Sequence, residues 1–314
     1  MNELIKLGAL VKRNIKCYFK DKFLFFVSLI TPMILLVLFV TFLRSVYMDS
    51  FNGIFKSCGF ELSEPRVLEG LAGSWLLSSI LAVSSVTVAV CSNAVMVSDK
   101  MENTINDFLI TPVKGTTLSV SYFIANYIAT LIVVLSVFVV GLVYLAIVGW
   151  CLTFIDIMKI FADILCSVLF GTLLSGVIES FISSQGGLSA ISTLVSSMYG
   201  FICGAYMPLS QFASGMRTFI CCLPGTYSVG IMRNHFMTSY VDKLTELGLP
   251  QAGREGLLDG FDANLHFGGD FNGLNFSGGV QIPVWAMYVI LLGACLVLFA
   301  AYIAIVIIKN KKRR

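Results

Sequence analysis

The chain has 314 residues, of which 57% are hydrophobic and only 12% are charged, and its formal net charge is +3. Because soluble domains carry about 25% charged residues, this composition excludes a soluble globular protein and indicates an all-α polytopic membrane protein. The nine cysteines lack the spacing of a metal site. We interpret them as free thiols that pack as small apolar residues, with an external Cys58–Cys221 disulfide as the alternative.

The first predicted element is an amphipathic helix over residues 2–20, whose basic face suggests that it lies in the cytoplasmic membrane interface. Six apolar segments long enough to cross a bilayer follow. Their approximate bounds are 23–43, 71–97, 118–148, 160–182, 188–207 and 282–308. Pro32 should kink the first span, and residues 44–70 are interpreted as a mixed-charge outer loop.

Lysine and arginine predict the orientation, because short cytoplasmic loops carry an excess of both. With the N-terminus inside, the cytoplasmic segments hold 13 of the 21 Lys and Arg residues. Five of these lie in the tail from residue 309 onward, which we interpret as an anchor on the lipids of the inner leaflet. We therefore expect a multi-pass protein of the plasma membrane with both termini in the cytoplasm.

The polar interval 98–117 separates two long apolar runs. Asp99 and Glu102 have capping-box spacing, and Pro112 should end the short helix that begins there. Three apolar residues then share one face: Ile105, Phe108 and Leu109. Because so short a helix has no core of its own, we expect 99–111 to dock a partner protein, with a capped turn lying on lipid as the alternative.

After the fifth span the apolar pattern is interrupted and continues in two short segments. Residues 209–222 and 226–240 are moderately apolar but too short to cross, and they are interpreted as outer re-entrant or interfacial helices. The rest of the outer region, 241–281, is rich in glycine. Within it, residues 264–267 and 272–276 are interpreted as a β-hairpin.

Motifs of catalysis and energy supply are missing from the sequence. No Gly-Lys dipeptide is present, so there is no phosphate-binding loop, and no hydrolase or zinc-protease motif occurs. We expect no catalytic residues, no enzyme activity and no metal, and we interpret His235 and His266 as polar surface residues. Asp163 and Glu179 each lie within about one turn of a predicted span end, which disfavours an ion-coupled carrier.

Three segments and their order resemble the membrane subunit of type-2 ATP-binding-cassette (ABC) exporters. Residues 12–23 with 29–32 resemble the connecting helix and kinked first span, 100–113 the coupling helix, and 223–236 the outer re-entrant helices. The resemblance covers nearly the whole chain. It implies a single type-2 transmembrane domain over 1–314, with a connecting helix at its N-terminus and an outer region at 208–281.

The resemblance also implies partners. A separate cytoplasmic ATPase subunit would bind ATP and Mg and dock on the coupling helix, and a second permease subunit, the same chain or another, would complete the export pathway. This chain itself would hold no cofactor and bind no nucleic acid. The alternative functions are an ion-coupled carrier and a non-transporting scaffold or immunity protein.

An export pathway needs polar groups on helix faces and a closure at its outer end. The pathway candidates lie on the second and fifth spans, with helix packing through small residues as the favoured alternative: Ser78, Ser85, Ser92, Ser189, Ser192, Thr193 and Ser196. The candidates for an outer gate are Arg217, Pro224, Arg233 and His235, with interfacial anchoring as the alternative.

Overall fold

The computed structural model describes residues 3–38, 41, 44–60, 64–111, 113–268, 270–271, 276–277 and 279–312. The helices are α1 (Glu3–Lys20), α2 (Lys22–Leu38), α3 (Arg44–Ser57), α4 (Pro65–Met101), α5 (Thr104–Ile110), α6 (Gly115–Val148), α7 (Phe154–Ser180), α8 (Gln185–Ile202), α9 (Ser214–Cys221), α10 (Pro224–Glu246), α11 (Gln251–Gly260) and α12 (Val284–Lys312). The prediction of an all-α membrane protein is confirmed.

Among the described residues, four helices are long and apolar enough to cross a membrane: α4, α6, α7 and the part of α12 from Val284 to Ile308. The predicted first and fifth spans correspond to α2 with 17 residues and α8 with 18 residues. At 1.5 Å per residue these helices are about 25–27 Å long, slightly less than the hydrocarbon thickness. The six-span count therefore stays a prediction.

The centre of the bundle is α4, which packs against α2, α6, α7, α8 and α10. Nearly all of its apolar segment is buried, whereas most residues of the corresponding segments of α6 and α12 are partly or fully exposed. The exposed faces carry apolar side chains that suit lipid, among them Val140, Val143, Leu296 and Val297. At the closest approach of α7 to α4, a side chain on Gly171 would overlap the backbone oxygen of Ser85.

The interpretation of residues 44–70 as a loop is wrong, because α3 occupies Arg44–Ser57. Tyr47, Phe51 and Phe55 recur every fourth residue and are buried on one face of this helix. Helix α3 packs against α11 and α4, and the rings of Tyr47 and Phe51 contact those of Trp75 and Phe261. Burial of three aromatic side chains thus favours a helix in a segment whose charges suggest a loop.

The glycine-rich region 241–281, predicted to lie on the outer side, contains two small antiparallel strand pairs among its described residues. Strand β1 (Leu265–Phe267) pairs with β4 (Val280–Ile282), and β2 (Asp270–Phe271) pairs with β3 (Phe276–Ser277). The two predicted hairpin segments both contribute strands, but they do not pair with each other.

Candidate coupling, groove and outer sites

The short helix α5 begins differently from the predicted capping box. Helix α4 continues to Met101, so Asp99 lies inside its last turn and Glu102 directly follows it. The N-cap position of α5 is Asn103, which has left-handed backbone geometry (φ 60°) and makes no capping bond with its side chain. The capping-box prediction is therefore wrong. Pro112, predicted to end this helix, and the side chain of Leu109 lie outside the described residues.

The carboxylate of Asp99 is instead the centre of a contact between three helices. Arg13 of α1 donates two hydrogen bonds to it, one of them 2.8 Å long from Nη2 to Oδ1, and Tyr122 of α6 donates a third. A bidentate arginine–carboxylate pair is strong and fixed in direction. The carboxylate also raises the pKa of Arg13 above its usual value. We call Arg13, Asp99 and Tyr122 the coupling node.

The apolar face of α5 is covered by the chain itself. Ile105 is only 7% exposed and lies in one cluster with Leu10 of α1 and Leu118 of α6. The guanidinium of Arg13 lies 5.2 Å from the ring centre of Phe108. The expectation that this face is uncovered is therefore wrong, because α1 and α6 run alongside the loop.

What α5 presents to solvent is its opposite side. Ile110 is 86% exposed, and the polar residues Glu102, Asn103 and Asp107 are exposed as well. Among the described side chains of this helix, the surface available to a partner thus comprises one large apolar side chain with acidic neighbours.

A groove of about 790 Å³ lies between α2, α4 and α8. Three of the pathway candidates on α8 lie in its wall, namely Ser192, Thr193 and Ser196, together with Ser197. Ser189 is exposed and does not line it. The remaining wall is predominantly apolar, with Ile30 and Ile34 from α2.

The serine candidates of α4 do not reach the groove. Ser78 and Ser85 are fully buried, and their hydroxyls donate to the carbonyl oxygens of Trp75 and Leu81 of the same helix at 2.7 and 2.8 Å. Ser92 is buried beside Asn93 and Asn126 in a small polar hollow. For these three residues the structure supports helix packing. The groove residues of α4 are instead Trp75, Leu76, Ser79, Ile80 and Cys91.

A buried cation contacts two side chains of the groove wall, Trp75 and Ser79. Arg233 of α10 is 1% exposed, and it donates to Asp262 at 2.8 Å, to Ser79 at 3.1 Å and to two backbone oxygens that follow α8. Its guanidinium also lies 4.5 Å from the ring centre of Trp75. Burial raises the pKa of Asp262 to about 6, and Arg233 acts in the opposite direction. We call Arg233, Asp262, Trp75 and Ser79 the outer lock.

Arg217 lies close to the outer lock and is also buried, at 4% exposure. It donates to the carbonyl oxygens of Leu209 and Phe212, both at 3.1 Å, and so holds the turn before α9. Leu209 in turn donates its amide to Asp262 at 2.8 Å. Pro224 occupies the first turn of α10, a position where proline is well tolerated because the amide needs no partner there.

A family model described as ABC-2 type transporter matches residues 5–237. The chain belongs to the ABC-2 type transporter family. This family comprises membrane permeases and not catalytic domains, so the protein is a multi-pass transporter subunit. A search of curated proteins finds no match to the chain.

The matched part of this ABC-2 permease contains the coupling node, the groove and Arg233, whereas Asp262 lies beyond it. The last part of the match also contains His235, which the structure separates from the outer lock. Nδ1 of His235 lies 2.7 Å from Asp163 of α7, and Tyr288 of α12 donates to the other oxygen of the same carboxylate. The interpretation of His235 as a surface residue is wrong, since its side chain is only 13% exposed.

Asp163 belongs to a row of polar contacts that joins α7 to helix α10 of the permease. Ser239 donates to Asp156 at 2.7 Å, and Ser167 contacts Ser228 at 2.6 Å further along. Asp163 is the tenth residue of α7, which begins at Phe154. It therefore lies deeper in the helix than predicted. Within the described part of the chain, no three His, Cys, Asp or Glu residues could hold a metal ion, and all nine cysteines are free.

Proposed function

We propose that this chain forms the export pathway of an ABC-2 transporter and is driven by a separate cytoplasmic ATPase subunit, which binds ATP and Mg. The coupling node carries this proposal. It joins α1 and α5 to α4, and α4 also forms one wall of the groove. A displacement of α5 by the ATPase would therefore reach the groove through a single rigid helix.

The docking surface of α5 is its solvent side. Ile110 supplies an exposed apolar side chain, and the exposed carboxylates of Glu102 and Asp107 add negative charge to the same surface. This surface fits an apolar pocket with a basic rim on the ATPase. Ile105 and Phe108 take a supporting role, because they hold α5 against α1 and α6.

The groove is the proposed pathway, and a second permease subunit would close its open side. Both α2 and α8 expose large apolar side chains near it: Ile30, Ile34, Leu194, Met198 and Phe201. An apolar wall with a row of hydroxyls on one side suits an amphipathic or apolar substrate. The outer lock is the proposed gate, with Arg217 and Pro224 as supports. His235 is left out because it faces α7.

The test uses the exposed tip of α5. The chain is purified with the ATPase that co-elutes with it, reconstituted in vesicles, and assayed for ATP-dependent export. Ile110→Asp should keep the membrane subunit folded but abolish its stimulation of ATP hydrolysis, and the matched Ile110→Leu should behave as wild type. Export that continues without ATP would favour an ion-coupled carrier, and normal coupling in Ile110→Asp would refute docking through α5.

A further inference from the structure

An acidic side chain at the inner end of α7 is buried without a hydrogen bond to its carboxyl group. Glu179 is 0% exposed, and among the described residues neither of its carboxyl oxygens has a hydrogen-bond partner. Asn93 of α4 faces this carboxyl group, but no hydrogen bond of 3.5 Å or less joins the two side chains. An ionised carboxylate that is buried without donors is strongly disfavoured, and such a group ordinarily takes up a proton.

The nearest cation is directed elsewhere. Lys100, in the last turn of α4, donates to the carbonyl oxygens of Glu179, Ser180 and Ile182 at 2.9, 3.5 and 3.4 Å. These oxygens belong to the end of α7, where a helix leaves its last carbonyl groups open and attracts positive charge. The ammonium group therefore bonds backbone oxygens, while the carboxyl group of Glu179 forms no ion pair within 4.0 Å with it.

The other groups around Glu179 supply no further charge. The Cys91 thiol faces it from α4, and Tyr302 of α12 packs one turn away against Gly176. On α6, the neutral Asn126 bonds Ser175 at 3.0 Å. The turn and the start of α8, residues 181–188, contain no ionisable residue. Lys100 is therefore the single charged group facing Glu179 from the described elements.

We propose that Glu179 is a proton-binding site that holds a proton in this conformation and releases it when the last turn of α4 moves. Lys100 is next to Asp99 of the coupling node and four residues before α5 begins at Thr104. When this turn moves, the ammonium leaves the backbone oxygens and pairs with the carboxyl group. The O–H bond of Glu179 breaks, its proton passes to cytoplasmic water, and the carboxylate that remains forms an ion pair with Lys100.

The release step rests on the coupling role proposed above, whereas the proton site itself does not. Two measurements separate them. Infrared difference spectra of the full chain in nanodiscs, recorded at pH 7, should contain a protonated-carboxyl band that Glu179→Gln removes. Glu246→Gln, which changes an exposed carboxyl on α10, should leave that band intact. A wild-type spectrum without the band, or one that Glu179→Gln does not alter, would overturn the proton site.

Glu179→Gln also reproduces the size and neutrality of the protonated acid. It should unfold at the wild-type temperature or above, and a variant that fails to fold at pH 7 would show that the native group is ionised.

For the release step, ATP and vanadate are added to the complex with its ATPase in weak buffer with a pH-indicator dye. About one proton should leave per chain in wild type and none in Glu179→Gln. If the band is present but no proton leaves, the site stands and its link to the ATP cycle is refuted.

Discussion

The pair formed by Arg13 and Asp99 allows the coupling node to be tested quantitatively. Asp99 is buried, with a side chain 7% exposed, whereas Arg13 is 32% exposed and remains in contact with water. Removing one partner of a fully buried pair costs about 3–5 kcal/mol. Because water can reach Arg13, and Tyr122 continues to donate to Asp99, we expect a smaller cost of about 2–3 kcal/mol for Arg13→Met or Asp99→Asn.

The two substitutions should not add. In the double variant neither side chain is left as an unpaired charge, so the coupling energy should be about 1.5–3 kcal/mol. Unfolding of the four proteins of the cycle in nanodiscs measures this energy, and export driven by the ATPase measures function. In all three variants, the rate of export should fall by a larger factor than the affinity of the groove for a substrate. Additivity within about 0.5 kcal/mol together with normal export would refute the node as the transmission element.

Three further predictions concern the bundle, the groove and the outer lock. Gly171→Ala should lower the free energy of unfolding by about 1–3 kcal/mol, because its methyl group meets the backbone of α4. In the control Gly293→Ala the added methyl group meets nothing within 4 Å, and the free energy of unfolding should change by less than about 0.5 kcal/mol. Equal effects of the two substitutions in thermal unfolding would contradict the close contact of α7 with α4. Ser196→Trp should fill the groove and reduce export while ATP hydrolysis continues. The control Ser189→Trp, on the same helix but outside the groove, should export normally. A transport assay in which Ser189→Trp loses more export than Ser196→Trp would show that the groove is not the pathway. Arg233→Met should destabilise the protein by about 3–5 kcal/mol at pH 7.5 by leaving Asp262 unpaired, and unfolding at the wild-type midpoint would show that the lock is not formed.

Patterns that repeat along one helix could be predicted from the sequence. The amphipathic helix α1, the long apolar helices and the polar face of α8 all depend on spacing within a single element. The predicted apolar face at Ile105 and Phe108 also exists. Three of the four predicted pathway residues on α8 line the groove, namely Ser192, Thr193 and Ser196. In each case the signal is local, since neighbouring turns of a helix share a face.

Contacts between distant segments could not be predicted in this way. Asp99 has a good capping partner three residues later, but it bonds Arg13, which is 86 positions away. From the sequence alone, Arg233 is interpreted as a polar residue of an outer helix. In the structure its hydrogen-bond partners include Asp262 and Ser79, which belong to two other segments of the chain. A lone charge in an apolar sequence indicates that a partner exists. The identity of that partner follows only from the packing of the helices.

The enclosure of α4 has a consequence for the biogenesis of the protein. Its sides are covered by neighbouring helices, so its small and polar side chains, such as Ser78, Ser85 and Asn93, contact little lipid once the fold is complete. During synthesis, however, α4 emerges from the ribosome before α6, α7 and α10, the helices that later cover it. It therefore enters the bilayer with its serines facing lipid tails or translocon, and its stable integration waits for helices that are translated afterwards.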